Sequence, residues 1–282
     1  DGVFLFLLEM SDILAQRFNS EIVQTGLWKA LMNKLLNYDS HSEISLYGLQ
    51  SVLRFLYNCA HFSTENADLI LGNSALVRVI IALLKDDTLK QLYFWPKTRN
   101  GGSSAVRGVT ARVISTLYLP FTGSCSDSAT NIVHKQMYSE EFVKHAINSL
   151  SYLNIEYYEL PVGLLSRLVL GSNHFASQFI GFGGLQQHLV KTILRATNSP
   201  NLVVDMLLII SQLARISKNN YSYIDGANMY EELAVLLEHN KPGIRAKACN
   251  LVGNLCKYSP YFYSRLKDKG IIQKLSKLCN DS

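Results

Sequence analysis

The most informative feature of this sequence is a near-repeat of about forty residues in its last third. Residues 198–236 match residues 240–278 at a constant offset of 42. The matched pairs are Asn198 with Asn240, Pro200 with Pro242, Leu213 with Leu255, Ser217 with Ser259, Tyr221 with Tyr263, Leu233 with Leu275 and Leu236 with Leu278. A constant offset over this length indicates that one structural unit is used twice.

The period and the composition together favour a helical repeat protein. A period of about 40 to 47 residues with helical patterning is typical of armadillo and HEAT units, each of which packs only against its neighbours. The chain has 282 residues, 48% of them hydrophobic, and only six prolines. We therefore predict an all-α, armadillo/HEAT-like α-solenoid, a right-handed superhelix of irregular three-helix repeats that forms a single domain over residues 1–282. Because the first residue is Asp1 and not Met, we expect a fragment of a longer chain.

The hydrophobic pattern predicts the order short helix, medium helix and long helix along much of the chain. Apolar residues recur at helical spacing, N-caps such as Thr64 and Ser74 precede the runs, and glycines such as Gly72 follow them. The predicted helices lie at 28–36, 42–60, 64–71, 75–85, 105–119, 139–153, 161–170, 173–179, 185–196, 201–216 and 271–278. The helix at 201–216 is apolar on nearly all sides, which predicts a central buried position.

Two polar stretches interrupt this order. Residues 86–104 contain Pro96 and the run 100–104, and residues 121–131 are rich in Ser, Thr and Gly. Such composition is typical of loops. We predict flexible insertions near 86–104 and 121–131, where a solenoid tolerates additional residues.

Positive charge is concentrated towards the end of the sequence. The chain has a net charge of +5, but residues 241–277 contain nine basic residues and a single acid, Asp268, so the remainder is net negative. This asymmetry indicates either a docking surface for an acidic partner or a solvated outer face. No recognition motif for nucleic acid accompanies the charge, so a nucleic-acid partner is not expected.

Amide side chains recur at equivalent positions of the long helices. Asn254 lies in the segment LVGNLC, the offset of 42 places Gln212 at the corresponding position, and Asn58 occupies it in FLYNCA. Asn250 lies one helical turn before Asn254 on the same face. An amide both donates and accepts hydrogen bonds, so these residues can bind the backbone of an extended peptide in a groove. Alternatively, each amide bonds neighbouring backbone and holds the layers in register.

Six basic residues of the same region are candidates for contacts with an acidic or phosphorylated segment of a partner protein. They are Arg245, Lys247, Lys257, Arg265, Lys267 and Lys269. The aromatic run 261–263 has two interpretations. It is either an exposed anchor for a partner or a place where two of the three rings pack between adjacent helices.

Residues 243–275 read GIRAKACNLVGNLCKYSPYFYSRLKDKGIIQKL. This stretch resembles the armadillo-type repeats in the C-terminal region of the Fused serine/threonine kinase family, which acts in the Hedgehog and ciliary pathways. The resemblance implies a non-catalytic, protein-binding scaffold that regulates an N-terminal kinase domain. It also implies kinesin-like and other Hedgehog or axonemal proteins as partners, and a cytoplasmic location associated with cilia or the cytoskeleton.

The sequence offers no catalytic motif. It contains no Gly-rich loop before a strand, no HRD segment and no DFG segment, so this segment is not expected to be an enzyme. Without HExxH or CxxC spacing we assign no catalytic residue, metal or cofactor. A small-molecule substrate is not expected, and neither is a membrane partner, because the apolar runs are far shorter than roughly 18 residues. The alternative function is a structural or trafficking armadillo-repeat adaptor with no kinase attached.

Overall fold

The computed structural model describes residues 26–36, 46–94 and 101–280, and all regular structure in these ranges is helical. The predicted helix start at Ser42 and Glu43 lies outside the described residues. The chain divides into two compact units, residues 1–154 and residues 155–282. The all-α fold is confirmed, whereas one domain over residues 1–282 stays a prediction.

In the first unit, long helices alternate with shorter ones. The helices are α1 (Leu27–Leu36), α2 (Leu46–Phe62), α3 (Thr64–Leu71), α4 (Ser74–Ala82), α5 (Asp86–Phe94), α6 (Ser103–Tyr118), α7 (Asp127–Ser139) and α8 (Phe142–Leu150), with a 3-10 turn at Leu119–Thr122. The long helices α2 and α6 pack against each other, α3 and α4 pack against α7, and α1 packs against α4. Large side chains such as Phe55 and Phe142 are fully buried between them and form the core.

In the second unit, the order short helix, medium helix and long helix repeats. The helices are α9 (Glu159–Gly171), α10 (Asn173–Gly181), α11 (Gln187–Leu194), α12 (Pro200–Ile216), α13 (Tyr221–Gly226), α14 (Tyr230–Leu236), α15 (Pro242–Tyr258), α16 (Pro260–Asp268) and α17 (Ile271–Asn280), with 3-10 turns at Ile155–Tyr157 and Lys218–Asn220. The prolines at the start of α12 and α15 suit the first turn of a helix, where their missing N–H costs nothing.

Helix α12 lies in the middle of a stack of long helices, because it packs against both α9 and α15. Its flanks are consequently buried, each of the following residues being at most 1% exposed: Leu202, Val203, Met206, Leu207, Ile209, Ile210 and Leu213. Burying one such side chain contributes about 1.5–3 kcal/mol. The predicted central buried helix at 201–216 is therefore present. Helices α11, α14 and α17 pack in a second row beside the long helices.

A serine in extended conformation separates each long helix of this unit from the shorter helix that follows it. Ser172, Ser217 and Ser259 have φ values of −153°, −157° and −149°. Each side-chain oxygen accepts a hydrogen bond from a backbone N–H two or three residues ahead. Ser63 does the same between α2 and α3 in the first unit. The extended residue ends one helix while its oxygen satisfies an unpaired N–H of the next.

The first predicted insertion contains helix α5. Its Leu89 and Leu92 are buried, and the Tyr152 hydroxyl donates a hydrogen bond to Asp86 Oδ1 at 2.7 Å. The sequence does not predict this helix, because only one row of its side chains is buried and the others are polar. Residues 95–100 of the same segment lie outside the described residues.

The second predicted insertion is also partly helical. It includes Gly123 at a φ of 75° and the start of α7, where Ser126 is the N-cap. The Ser126 N–H donates to Asp68 Oδ1 of α3 at 2.8 Å, which ties the segment to the core. The hydrophobic pattern does not predict α7, because its apolar row is narrow. The flexibility of both segments stays a prediction.

Substitution of Gly184 tests the packing of the turn between α10 and α11. Gly184 is buried, and a Cβ there would overlap the ring of Phe179, which is 1% exposed. Gly184→Ala should therefore lower the free energy of unfolding by about 1–3 kcal/mol, as measured by urea denaturation. Gly181→Ala is the matched control, since a Cβ there meets nothing within 4 Å and the change should be neutral or slightly stabilising. Equal losses in both variants would contradict this account.

Candidate functional site

Four polar residues follow one another along the exposed side of α15. Lys247, Asn250, Asn254 and Lys257 are separated by three, four and three residues, which places their side chains on one helical face. Asn254 is half-buried and the other three are exposed. The buried side of the helix is formed by Ile244, Ala248, Leu251 and Leu255. We call the four polar residues the α15 face.

The surface around the α15 face is open. Gly243, Ala246 and Gly253 are exposed and share this side of the helix. A Cβ built at Gly243 or Gly253 meets nothing within 4 Å. The small residues therefore leave the helix backbone uncovered, and a second polypeptide has room to approach the amides closely.

A hydrogen-bond network joins the α15 face to α12. The Asn254 Nδ2 donates to Ser211 Oγ at 2.5 Å and to Asn250 Oδ1 at 3.1 Å. The Ser211 hydroxyl donates in turn to Asn250 Oδ1 at 3.3 Å. Ser211 is 6% exposed, so its hydroxyl would lack a partner without these amides. The network connects two layers of the stack.

The same network leaves two amide groups unused. Among the described residues, the Asn250 Nδ2 and the Asn254 Oδ1 make no hydrogen bond. One is a donor and the other an acceptor, which are the two functions that a peptide backbone can satisfy. The asparagines thus contact the neighbouring layer and still present a donor and an acceptor outwards.

Gln212, predicted to act together with Asn254, is half-buried and lies next to Ser211 on α12. The offset of 42 relates equivalent positions of stacked helices, whose axes lie about 8–10 Å apart. The hydrogen bond between α12 and the α15 face is made by Ser211, which precedes Gln212 in the chain. The role of Gln212 in binding a partner stays a prediction. Arg215, which sequence reasoning missed, is exposed on α12 one turn beyond Ser211.

Asn58 belongs to α2 of the first unit and is 9% exposed. Asn58 is thus buried, whereas Asn250 is exposed. Within the second unit the structure groups Asn250 and Asn254 with Ser211, and the binding role of Asn58 stays a prediction.

The predicted basic residues fall into two groups. Arg245 Nη1 donates to the carbonyl oxygens of His239 at 2.7 Å and Asn240 at 3.1 Å, so it fastens the start of α15 to the preceding turn. Lys247 lies on the α15 face and makes no hydrogen bond among the described residues. Lys267 and Lys269 are exposed near the end of α16. Part of the positive charge is thus used within the fold.

Arg265 belongs to a cluster centred on Asp225 of α13. Its guanidinium Nη2 lies 3.3 Å from Asp225 Oδ2, which also accepts a hydrogen bond from the Tyr261 hydroxyl at 2.6 Å. Tyr230 donates to the other carboxylate oxygen, and Arg265 stacks over the Tyr261 ring at 5.4 Å. Partial burial by itself raises the pKa of Asp225, but these hydrogen bonds and the Arg265 charge outweigh it and the pKa is lowered. The cluster ties α13 to α16.

The aromatic run 261–263 is divided between core and surface. Phe262 is fully buried and packs edge-on against Tyr221 at 5.3 Å between ring centroids. Tyr261 and Tyr263 are 49% and 47% exposed. Of the three rings, one and not two is buried between helices, because helical geometry turns neighbouring side chains about 100° apart.

Burial disfavours the thiolate form of two cysteines of the first unit. Burial raises the pKa of the Cys59 thiol to about 12 and that of Cys125 to about 11. Among the described residues, His, Cys, Asp and Glu side chains form no group of three or more that could hold a metal ion. Across the same ranges, every helix is too short or too polar to cross a bilayer.

Part of the chain is similar to known serine/threonine-protein kinases. It is 33% identical over 115 residues to serine/threonine-protein kinase TIO of Arabidopsis thaliana, which covers 41% of this chain and 9% of that protein. It is 26% identical over 196 residues to serine/threonine-protein kinase 36 of Pongo abelii, which covers 66% of this chain and 15% of that protein. These relatives are Fused-like kinases, so the expected similarity is confirmed over these parts of the chain, which spans only a small share of each relative's length. Its position in the C-terminal region of such a kinase stays a prediction. No protein-family model matches the chain.

Solved structures with a similar helical fold include designed armadillo repeat proteins. Computationally designed armadillo repeat proteins for modular peptide recognition superpose with a TM-score of 0.60 and 13% identity, covering 88% of this chain and 91% of theirs. A designed armadillo repeat protein in complex with the peptide (KR)4 gives a TM-score of 0.59 at 15% identity, covering 88% and 90%. At such low identity the similarity establishes the fold alone. The predicted armadillo-like α-solenoid is confirmed.

A double-mutant cycle measures how far the Ser211–Asn254 bond holds two layers together. Ser211→Ala and Asn254→Ala should each lower the free energy of unfolding by about 0.5–1.5 kcal/mol, because each removes one partner of a half-buried hydrogen bond. The double variant should lose less than the sum, with a coupling of about 0.5 kcal/mol or more by urea denaturation. Strictly additive losses would show that the bond does not stabilise the stack.

The Asp225 cluster predicts a pH-dependent contribution to stability. A lowered pKa in the folded state stabilises the fold above the unfolded-state pKa of about 3.9, and this stabilisation is lost as the pH falls through the folded-state pKa. The difference in unfolding free energy between wild type and Asp225→Asn should therefore be largest near neutral pH. It should shrink as the pH falls below about 4.

Asp268→Asn is the control for the Asp225 variant, because Asp268 is exposed on α16 and takes part in no ion pair among the described residues. Urea denaturation at several pH values should show little pH-dependent difference between this variant and wild type. A constant difference between wild type and Asp225→Asn across the acid range would contradict the role given to the cluster.

Proposed function

We propose that the chain is a protein-binding, non-catalytic region of a Fused-like serine/threonine kinase. In this proposal the α15 face, together with Arg215 of α12, holds an extended acidic segment of a partner protein. The observation that carries it is the pair Asn250 and Asn254, whose unused donor and acceptor lie between two lysines, with Asn250 exposed and Asn254 half-buried.

The amides supply affinity that does not depend on the partner's side chains. An extended segment presents backbone N–H and C=O groups at regular intervals, and the Asn250 Nδ2 and Asn254 Oδ1 can pair with one of each. The network to Ser211 fixes both side chains before binding, so little rotamer entropy is lost when the partner docks. The uncovered backbone at Gly243 and Gly253 leaves room for that segment.

Charge supplies the preference for an acidic partner. Lys247 and Lys257 flank the asparagines, and Arg215 is exposed on the adjacent helix. Towards α9 the stack carries Glu159 and Asp205 instead, which disfavours an anionic segment there. The armadillo protein with the (KR)4 peptide is similar in fold to this chain and carries a basic ligand. The lysines of the α15 face favour a ligand of the opposite charge.

The similarity to Fused-like kinases suggests what such docking serves. A scaffold attached to a kinase domain raises the effective concentration of a bound partner near the active site. We infer a role in Hedgehog signalling or in cilium and axoneme assembly, with kinesin-like or other axonemal proteins as partners and a cytoplasmic, cilium-associated location. The sequence encoded upstream of Asp1 distinguishes this proposal from a structural or trafficking adaptor, since only the kinase proposal requires a kinase domain there.

Binding of short peptides tests the proposal. The chain should bind an acidic (DE)4 peptide more tightly than (KR)4 or the neutral (SG)4, as measured by fluorescence anisotropy at 50 mM salt. Raising the salt to 500 mM should weaken (DE)4 binding at least about 5-fold, because exposed charges are screened. Preference for (KR)4, or affinity that does not depend on salt, would overturn the proposed charge preference.

Variants of the α15 face separate the amides from the charges. Asn250→Ala combined with Asn254→Ala should weaken (DE)4 binding about 10-fold, since two hydrogen bonds are lost. Lys247→Gln should weaken it about 2- to 5-fold. Lys277→Gln is the matched control, because Lys277 is exposed on α17, away from the α15 face, and the variant should bind normally. Equal effects of Lys247→Gln and Lys277→Gln would place the binding elsewhere.

A further inference from the structure

A cavity of about 310 Å³ lies in the second row of helices, between the end of α11 and helix α14. It is lined by Leu194, Arg195, Thr197, Glu231, Glu232 and Val235. None of these residues belongs to α12 or α15, so the cavity is separate from the α15 face. Its volume is near the lower end of the range for small-ligand sites, about 300–1,000 Å³, and suits a single side chain or a small molecule.

The wall of this cavity contains a buried carboxylate that is only half satisfied. Glu232 is 5% exposed. Its Oε1 is bound by Arg195, with Nη2 at 2.7 Å and Nε at 2.9 Å, and the Lys191 ammonium lies 4.0 Å from the same oxygen. Its Oε2 is buried and has no hydrogen-bond partner among the described residues. A buried carboxylate oxygen without a donor is costly, so additional positive charge close to this carboxylate is favourable.

The rest of the wall favours a cationic ligand with an apolar stem. The Arg195 guanidinium and the Lys191 ammonium both lie against Glu232. The second carboxylate of the lining, that of Glu231, is exposed and forms no ion pair among the described residues. Leu194 is 1% exposed, whereas Val235 is 61% exposed and leaves apolar surface at the cavity. Long basic side chains combine an aliphatic stem with a charged end, and they match such a wall.

We propose that this cavity binds an arginine or lysine side chain of a partner protein, with the cationic end beside the carboxylates of Glu231 and Glu232 and the aliphatic stem against Val235. The site is independent of the proposed function: it is built from other helices and takes the opposite charge. A partner with an acidic segment for the α15 face and a basic side chain for this cavity would be held at two points of one unit.

The experiment uses amino-acid derivatives as probes of the full 282-residue chain. N-acetyl-arginine amide and N-acetyl-lysine amide should bind with dissociation constants of the order of 1 mM, as expected for ligands of this size. N-acetyl-citrulline amide has nearly the shape of the arginine derivative without its charge, and it should bind at least about 10-fold more weakly. Binding is measured by NMR titration, in which the perturbed backbone amides should lie in α11 and α14.

Two variants link the binding to the cavity. Glu232→Gln should weaken the arginine probe at least about 10-fold, because it replaces the charged acceptor with a neutral amide. Arg195 remains largely solvated in this variant, since its side chain is 64% exposed, so the fold should persist. Val235→Lys places a competing ammonium at an exposed position beside the cavity and should also weaken binding, without any change in the core. The second variant keeps the test valid even if the first unfolds.

Glu238→Gln is the matched control for loss of one negative charge. Glu238 lies just beyond α14, outside the cavity, and pairs with Lys274 at 2.6 Å. This variant should bind the arginine probe within about 2-fold of wild type.

The proposal is overturned if the citrulline probe binds equally well, if neither cation binds at 20 mM, or if Glu232→Gln and Val235→Lys leave binding unchanged. Binding of (DE)4 to the α15 face should be the same in Glu232→Gln as in wild type, so failure of one site is distinguishable from failure of the other.

Discussion

The burial of α12 between α9 and α15 removes apolar side chains from water on two flanks of one helix, and the rest of the second unit is arranged around that contact. A helix packed on both flanks keeps only a narrow strip for polar residues. On α12 this strip carries Ser211, Gln212 and Arg215, and on α15 it carries the two asparagines and two lysines. The residues that we propose to bind an acidic segment are therefore polar side chains that the stacking of these helices leaves at the surface. This explains why the α15 face lies directly beside a seam that also stabilises the fold.

Positive charge in the second unit has two separate uses. Arg245 is bound to backbone carbonyls, Arg265 is bound to Asp225, and Lys274 is bound to Glu238. These residues fasten one layer to the next. Lys247, Lys267 and Lys269 face solvent and set the surface potential. The net charge of the segment alone therefore overstates the charge that a partner would meet.

Periodicity in the sequence was sufficient to predict the helical class, the repeat and the buried position of α12, because hydrophobic burial acts on whole helices. The same periodicity did not predict helices α5 and α7. Each of them buries only a narrow row of apolar side chains, and its exposed side is polar. Periodicity also did not predict the hydrogen bond between Ser211 and Asn254, since an offset of 42 identifies equivalent positions and not the residues that meet between two layers. The free oxygen of Glu232 depends on how Arg195 approaches the carboxylate, which is a three-dimensional property with no trace in sequence spacing.

The capping serines affect how the sequences of the repeats can change while the fold is kept. Ser172, Ser217 and Ser259 form each junction with bonds that span two or three residues, so the bend between helices is encoded locally. The bend does not depend on the exposed side chains of the preceding long helix. In each layer, one serine therefore determines the bend between two helices, and other residues determine which ligand the surface prefers. A substitution of the surface residues can change the ligand preference without changing the bend.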